Sequence, residues 1–356
     1  MANIRDVARK AGVSIATVSA TLNNSAAVSK DARARVWAAV DAVGYAPNAI
    51  ARSLRLGRSR LIGVVIADIS NPYCSTIVRT IEQEAIVAGY SIIVCNTDED
   101  EGREQRILEQ LREERVAGIV LTPVGHGPEY RRRVEAPTLP ALVTVDQRVP
   151  GLERDYVGVD NRAAARLLTQ YLLRLGHRRI AMVGGPRGMW TADERMAAFV
   201  EAMAEAGTPA DPSLCIPGRY RGDVAYELTT QLMTRHDRPT AIVGANNVVA
   251  LGALQAVLDL GFRCPADVSI VGIDDVPWGG LVRPRVTTAA QPIEDIARVA
   301  IGWLLERIAA GARAQPASRQ RVFQPTFLAG DSCAAITAEP AAVERPAAVE
   351  PQAIAN

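Results

Sequence analysis

The chain has 356 residues, 48% of them hydrophobic and 22% charged, values typical of an ordinary soluble protein with two or three domains and a large core. No apolar run approaches the length of a membrane span, and the N-terminus has no signal-peptide hydrophobic region. The five cysteines are scattered without a CxxC pair, which excludes a cysteine-built zinc site and fits a reducing compartment. We therefore predict a cytoplasmic protein without a membrane partner.

The net charge of +1 hides an uneven distribution along the chain. Residues 1–60 carry ten Lys and Arg against three acidic residues, a net charge of +7, and the remainder carries a net charge of −6. A small basic head on a mildly acidic body indicates that only the head meets a polyanion.

Residues 1–46 contain three short helical patterns. Asn3 and Asp6 form a capping-box pattern at the start of the first helix, and Ser14 is placed to cap the second after a glycine turn. The third helix is predicted over 29–43. A small helical domain that docks on protein would also fit this pattern, but the local charge favours DNA.

The second helix has a predicted buried face and a predicted outward face. Val18 lies at the centre of the buried face, with Ile15 and Leu22 beside it. The outward side carries Ala16, Ala20 and Asn23, with Thr17 and Ser19 on its flanks. Such a face can contact thymine methyl groups through its alanines and phosphates through its hydroxyl and amide groups.

Residues 47–60 are predicted to form a fourth, very short helix followed by a linker. Pro47 suits the first turn of a helix, and Ile50 and Leu54 lie on one face at i, i+4 spacing. The segment is too short to be a stable helix alone. On its pattern alone it is an ordinary linker helix that packs on the body.

From Leu61 the pattern changes to short apolar runs, rich in β-branched residues, that alternate with helical stretches. Each run is predicted to form a strand buried on both faces, which places the body in the α/β class with parallel sheets. The runs are LIGVVIA, SIIVC, GIVLT, ALVTV, RIAMV, TAIVG and VSIVG. They are too many for one compact sheet and restart near Arg179, so residues 61–330 are predicted to form two similar lobes. The segment 331–356 repeats PAAVE and is predicted to be a disordered tail.

Polar and aromatic residues follow several of these runs, and ligands in open α/β sheets bind beyond the carboxyl ends of strands. Carboxylates and a guanidinium can hold vicinal hydroxyls there, and aromatic rings can cover the apolar face of a sugar. Singly, each residue also has a structural explanation, such as a turn cap for Asp275 or a core position for Trp278. The candidates are Asp68 to Tyr73, Asp146, Thr191, Arg195, Asn246, Asp274 and Asp275, with Tyr220 and Trp278 as further aromatic rings.

Several motifs, in order and over roughly residues 3–330, resemble those of lactose-repressor (LacI/GalR) family regulators. They are NIRDVARKAGVSIATVSATLN, GYAPNAIARSLRLGRSRLIGVVIADISNPY, VGVDN, TADER, DVSIVGIDDVPW and TTAAQP. The resemblance implies a small all-α helix-turn-helix head and an α/β two-lobed body of the periplasmic-binding-protein type. It also implies a homodimeric transcriptional repressor that binds palindromic operator DNA under the control of a small, sugar-like effector.

The resemblance assigns DNA contacts to the second helix, in the major groove, and to a hinge helix that orders only on DNA. In the hinge helix Leu54 would act as an apolar wedge that opens the minor groove. The departure from the family lies at Ala20, where many members carry an arginine, so this helix lacks a bidentate bond to guanine. The residues so assigned are Ile4, Ser14, Ile15, Ala16, Thr17, Ser19, Ala20, Asn23, Ser29, Asn48, Ala51 and Leu54.

The resemblance also assigns effector contacts, and the polar types at these positions favour a sugar over a purine. No cofactor, metal or enzymatic activity is expected, because the sequence has no GxGxxG, Walker A or HExxH motif. A sugar-binding transport protein and a sugar-metabolising enzyme are the alternatives, and the basic head and absent signal peptide oppose the first. The effector residues are Tyr73, Asp146, Thr191, Arg195, Tyr220, Asn246, Asp274 and Gln291.

Overall fold

A computed structural model describes residues 3–22, 28–45, 59–311 and 317–336 of the chain. Within these ranges the chain forms a three-helix head and a body of two α/β lobes. Four of the residues predicted to contact DNA lie outside the described ranges, together with the predicted hinge helix. These four are Asn23, Asn48, Ala51 and Leu54.

The head consists of three helices around one small core. They are α1 (Ile4–Ala11), α2 (Ile15–Leu22) and α3 (Lys30–Val43). The predicted capping box is present, because Asn3 Oδ1 accepts from the Asp6 amide and the Asp6 carboxylate accepts from the Asn3 amide, at 3.2 and 3.0 Å. Ser14 caps α2 as predicted, accepting from the Thr17 amide at 3.1 Å. The fully buried valines of the core are Val7, Val18 and Val36.

The described part of the body contains eight α-helices and twelve strands. The helices are α4 (Pro72–Val87), α5 (Glu101–Glu113), α6 (Gly127–Val134), α7 (Asn161–Arg174), α8 (Trp190–Glu205), α9 (Gly222–Met233), α10 (Asn247–Asp259) and α11 (Ile293–Ala310). The strands are β1 (Leu61–Ile66), β2 (Ser91–Asn96), β3 (Gly118–Leu121), β4 (Ala141–Val145), β5 (Asp155–Val159), β6 (Ile180–Val183), β7 (Cys215–Ile216), β8 (Ala241–Gly244), β9 (Ser269–Ile273), β10 (Thr287–Ala290), β11 (Gln320–Phe323) and β12 (Thr326–Leu328).

The strands form two six-stranded sheets of equivalent order. The first lobe has the order β11-β5-β4-β3-β1-β2 and the second has β12-β10-β9-β8-β6-β7. The pairs are parallel except that β12 is antiparallel to β10. The seven predicted strands and the two lobes are therefore confirmed. The prediction of two buried faces is wrong for β2, because an edge strand has a neighbour on one side only and stays partly exposed.

The chain crosses between the lobes three times. It crosses at Asp160 after β5, at 291–292 between β10 and α11, and at 324–325 between β11 and β12. Helix α11 thereby returns to the first lobe, where its buried residues Ile301 and Leu304 belong to the core under β1 and β4. Each lobe is consequently built from separate segments of the chain.

Residues 331–336, which the sequence assigns to the disordered tail, are packed against the second lobe. Ser332 is fully buried, and its hydroxyl donates to the Ile270 carbonyl at 2.5 Å. The His177 ring bonds the Ala334 carbonyl at 3.1 Å, and the Ile336 amide donates to the Leu175 carbonyl at 2.8 Å. The predicted start of the tail at 331 is therefore wrong, because backbone hydrogen bonds anchor a segment of unremarkable composition.

Candidate functional site

A cleft of about 600 Å³, part of it open to solvent, lies between the carboxyl ends of the two sheets. It lies beyond the carboxyl ends of the strands, where ligands of open α/β sheets bind. The structure brings all the predicted effector residues together in the wall of this cleft. They are Tyr73, Asp146, Thr191, Arg195, Tyr220, Asn246, Asp274 and Gln291.

Two aspartates occupy equivalent places in the two lobes. Asp146 follows β4 and Asp274 follows β9, which is the corresponding strand of the second sheet. Both adopt left-handed backbone conformations, with φ of 64° and 69°. This conformation is uncommon for residues other than glycine and is often found at ligand-binding sites. The backbone turn at each strand end thus directs a carboxylate into the cleft.

Arg195 is a buried cation held in place by the second lobe. Its Nε donates to Asn161 Oδ1 and one of its terminal nitrogens donates to the Ala245 carbonyl, both at 2.6 Å. The guanidinium lies 5.9 Å from the centre of the Tyr220 ring. Arg195 is on α8, four residues after Thr191, so both side chains reach the cleft from one face of the helix.

Hydrogen bonds cross the cleft and join the two lobes. Gln147 of the first lobe donates from Nε2 to the Thr191 hydroxyl at 2.7 Å and accepts from the Thr191 amide at 3.2 Å. At a second point, Asn247 donates to Asn71 Oδ1 at 3.2 Å. The predicted effector residue Thr191 therefore already bridges the lobes through both of its polar groups.

The remaining polar residues have defined orientations. Asn246 caps α10, accepting from the Val249 amide at 2.9 Å. Gln291 donates to Asp274 Oδ1 at 2.6 Å, while its own carbonyl oxygen is buried without a partner in the protein. A buried acceptor without a partner is costly. A ligand with a hydroxyl donor would satisfy it.

The aromatic residues of the cleft are the two tyrosines. Tyr73 is buried in the first lobe, and Tyr220 of the second lobe lies with its hydroxyl 3.2 Å from that of Thr191. Trp278, the third predicted ring, does not line the cleft and is 47% exposed. Asp275 bonds the Val276 amide at 2.9 Å, which supports its interpretation as a turn cap.

Burial controls the protonation of the carboxyls in the cleft. It raises the pKa of Asp274 to about 6, against the opposing attraction of Arg195 and the hydrogen bond from Gln291. It also raises the pKa of Asp146, again with Arg195 opposing. Burial acts to lower the pKa of Arg195, but Tyr220 and the two carboxylates outweigh it and the net shift is upward. The cleft thus holds one fixed positive charge beside two acids.

Several lining residues were missed by the sequence analysis. Gln147 comes directly after Asp146, and Thr122 to Val124 follow β3, so the rule about strand ends could have found them. Glu99 lies after β2 in the acidic stretch DEDE, which is typical of a solvated loop. Asn71, by contrast, lies within the predicted stretch Asp68 to Tyr73, and it caps α4 by accepting from the Tyr73 amide.

The wall of the cleft also contains a cysteine, Cys74. Burial raises the pKa of the Cys74 thiol to about 12, so the thiol at the cleft wall is protonated at neutral pH. In the part of the chain that the structure describes, no group of three His, Cys, Asp or Glu is placed to hold a metal ion. Within the same ranges, no helix has the length and hydrophobicity needed to cross a bilayer.

The head presents a surface of small side chains. Ser14, Ile15 and Ala16 are exposed at the start of α2, and Thr17, Ser19 and Ala20 are half-buried. Ile15 was predicted beside Val18 on the buried face, but it is 45% exposed because it lies in the first turn, beyond the contact with α1 and α3. Ser29 is exposed and caps α3, whereas Ile4 packs partly against the core of the head.

Two family models match the chain. Residues 3–48 match the bacterial regulatory proteins of the lacI family, and residues 169–333 match a periplasmic binding protein-like domain. The first match covers the helical head, and the second covers most of the second lobe together with the returning helix α11.

Relatives of known name cover nearly the whole chain. The ribose operon repressor of Halalkalibacterium halodurans is 35% identical over 86% of this chain and 91% of that protein. The transcriptional repressor PurR of Haemophilus influenzae is 33% identical over 86% and 91%. Among solved structures, a LacI family transcriptional regulator from Enterococcus faecium with bound ribose shares 25% identity at a TM-score of 0.69, covering 78% of this chain and 100% of that chain.

Proposed function

Since the chain belongs to the LacI family of bacterial regulatory proteins, we propose that it is a sequence-specific DNA-binding repressor controlled by a small sugar. One observation carries this proposal: the eight effector residues predicted from the sequence line a single cleft between the lobes, in a chain that also has a helix-turn-helix head. Relatives named as repressors, and a related regulator with bound ribose, support both halves of the proposal.

The head acts as the DNA reader. The exposed residues Ser14, Ile15 and Ala16 lie at the start of α2, where a recognition helix meets base edges. Their methyl and hydroxyl groups suit thymine and phosphate contacts. The net charge of +7 over residues 1–60 supplies the sequence-independent attraction to DNA. Two heads of a homodimer bind a palindromic operator, with Leu54 as the wedge in the minor groove.

The body acts as the sensor. Carboxylates on both lobes, an arginine and two tyrosines form a ring of groups that can bind vicinal hydroxyls and cover a sugar ring. A sugar held by both lobes stabilises their closed arrangement, because each lobe contributes part of its binding energy. The change in the arrangement of the lobes then alters the affinity of the head for DNA.

The two alternatives fit less well. A sugar-binding transport protein would share the two-lobed body but would have no use for a basic head with a capped recognition helix. An enzyme would need a nucleophile, a base or a metal among the residues of the cleft, and there Cys74 is protonated and the positive charge of Arg195 acts to lower the pKa of both aspartates, which makes them weaker bases.

The test measures DNA and sugar binding on the full chain. Duplexes selected from a randomised pool should share a palindrome, and binding should weaken steeply between about 50 and 200 mM salt. A panel of sugars should then include one that shifts the DNA titration. A flat salt response would contradict the DNA proposal. Sugar binding without any enriched duplex would favour the transport protein.

A further inference from the structure

We infer that the cleft selects uncharged sugars and rejects their phosphorylated and acidic derivatives, because its charged side chains are mostly acidic and the helix N-termini that face it are capped by protein side chains. The inference rests on the proposed function, since it concerns the chemical class of the effector. Four features of the cleft favour an uncharged ligand: its charges, its capped helix termini, the unpartnered oxygen of Gln291 and its rim.

The charges of the cleft oppose an anion. Among its described lining residues, four carry carboxyl groups and only Arg195 carries a positive charge; the four are Asp68, Glu99, Asp146 and Asp274. Arg195 already uses its Nε and one terminal nitrogen in bonds to Asn161 and Ala245. A phosphate would bring up to two further negative charges into this low-dielectric space, where like charges repel more strongly than in water.

The helix termini at the cleft are each capped by a side-chain oxygen of the protein, which competes with an anion. Helices α4, α8 and α10 all begin at the cleft, and the N-terminus of a helix is ordinarily a ready site for phosphate. Here a side-chain amide oxygen occupies each of them. Asn71 accepts from the Tyr73 amide at 2.9 Å, Gln147 accepts from the Thr191 amide at 3.2 Å and Asn246 accepts from the Val249 amide at 2.9 Å.

Two polar atoms of the cleft wall are buried without a partner in the protein: the Tyr73 hydroxyl, which can donate or accept, and Gln291 Oε1, which can only accept. Gln291 donates its Nε2 to Asp274, an acceptor-only carboxylate, and this bond fixes the orientation of its amide. The Oε1 atom is thereby left buried without a partner in the protein. A sugar hydroxyl can donate to that oxygen, whereas a phosphate or carboxylate oxygen would be repelled by it.

Glu99 extends the acidic character to the rim of the cleft. It adopts a left-handed conformation, with φ of 60°, in the turn after β2. The carboxylates of Asp68 and Asp146 in the first lobe repel its charge, and Arg219 of the second lobe attracts it. Arg219 is exposed, and Arg221, two residues further along the chain, is paired with Asp223 at 2.6 Å. We assign to Glu99 the role of a specificity-determining residue that opposes the entry of anions.

The test compares matched pairs of ligands by titration calorimetry on the full chain. The probes are ribose, xylose, glucose and galactose, each with its terminal phosphate, and gluconate as the sugar acid. At least one uncharged sugar should bind, and its phosphate should bind at least a hundredfold more weakly. In Glu99→Gln the affinity for the phosphate relative to that for its parent sugar should rise about tenfold, which corresponds to about 1.4 kcal/mol.

The matched control is Glu113→Gln, which makes the same change in charge at an exposed position on α5 away from the cleft. It should leave both members of the pair unchanged. The inference would be overturned by a phosphate that binds as tightly as its parent sugar. It would also be overturned if the phosphate binds as weakly, relative to its parent sugar, in Glu99→Gln as in the unaltered protein. Neither result would contradict the proposed sugar effector. If neither member of any pair binds, the proposed sugar effector fails together with this inference, and the two failures are therefore distinguishable.

Discussion

The two lobes share one strand order but supply different chemistry to the cleft. Asp146 and Asp274 stand at equivalent strand ends, each with a left-handed backbone. The next residue differs: Gln147 reaches across to the second lobe, whereas Asp275 turns back to cap its own turn. The fixed positive charge comes from the second lobe alone, through Arg195 on α8.

The difference shows which part of a repeated fold is constrained. The backbone at a strand end has to turn into the cleft in both lobes, so its geometry is repeated. The side chains that follow are free to differ, and the first lobe uses one for bridging while the second supplies the charge. Four experiments test this division of roles.

Removing the charge of the second lobe should have the largest effect. In Arg195→Ala the two cleft carboxylates lose their counter-charge, and the sugar loses a charge-assisted donor worth about 1.5–3 kcal/mol. We expect about a hundredfold weaker binding of the sugar, or about 2.7 kcal/mol, measured by titration calorimetry. Binding to DNA without sugar should survive, because the head makes those contacts.

Arg195→Lys serves as the control for this experiment, since it keeps the charge but cannot keep both bonds to Asn161 and Ala245. Its affinity for the sugar should lie between that of the parent and that of the alanine variant. Sugar affinity equal to that of the parent in Arg195→Ala would show that the charge is only structural. Loss of DNA binding in the absence of sugar would show that Arg195 holds the fold.

The second experiment concerns a buried acid found behind the cleft wall in the first lobe. Glu104 on α5 is fully buried and accepts from the Val124 amide at 2.7 Å, while the equivalent helix α9 of the second lobe buries Leu232 and Met233. Burial raises the pKa of Glu104 to about 7. Because the folded pKa exceeds its ordinary value, the stability it contributes is complete in acid and is lost as pH rises through about 7.

We therefore expect the free energy of unfolding to fall by about 2 kcal/mol between about pH 5 and pH 8. Glu104→Gln should flatten this decline and be the more stable protein at the higher pH, because an amide pays no cost of ionisation. Urea unfolding at both pH values measures the effect, with Glu113→Gln as the surface control. If the free energy of unfolding falls by the same amount in Glu104→Gln, groups other than Glu104 cause the decline.

The third experiment separates the two equivalent aspartates. Sugar hydroxyls bind an ionised carboxylate better than a neutral acid, and the pKa of Asp274 is about 6. Sugar affinity should therefore fall as pH drops below about 6, by up to about tenfold per pH unit. Asp274→Asn should weaken binding at neutral pH and remove this dependence, whereas Asp146→Asn should retain it. The same pH profile in both variants would show that the ionisation of Asp274 does not set the pH dependence of sugar binding.

The smallest effect is expected from the bridge between the lobes. Gln147→Ala removes two hydrogen bonds to Thr191, each worth about 1 kcal/mol, but water replaces part of that contribution at an open cleft. We expect about fivefold weaker sugar binding, since the closed arrangement is less favourable. Asp275→Ala, at the equivalent position, should change affinity less than twofold. An equal loss of sugar affinity in both variants would contradict the proposed difference between the lobes.

Much of this fold was predictable because the sequence patterns that specify it lie within short segments of the chain. Seven strands followed from apolar runs, and the caps of the head followed from Asn3 and Ser14. The convergence of the effector residues followed from one rule about strand ends, helped by the family resemblance. The strands that were missed lack such a run: β10 is TTAA, and β11 is mostly exposed.

The features that could not be predicted depend on contacts between residues that lie far apart in the sequence. Strand β5 begins with Asp155, a poor strand residue, which is fully buried because Arg307 and Arg319 bind its carboxylate at 2.6 and 3.0 Å. Glu99 and Glu104 sit in acidic stretches that look solvated, yet one lines the cleft and the other lies in a core. A sequence read alone does not show which charges will meet a counter-charge or be buried by a neighbouring loop.

The three crossings between the lobes also set the order in which the chain can fold during synthesis. The first five strands leave the ribosome early, but the core of the first lobe stays open until α11 and β11 have been made, after nearly all of the second lobe. The N-terminal lobe is therefore completed late, against the usual order in which N-terminal units fold first. The apolar surface of this lobe therefore stays exposed while the second lobe is being synthesised. This lobe is the part of the nascent chain that most needs protection from aggregation.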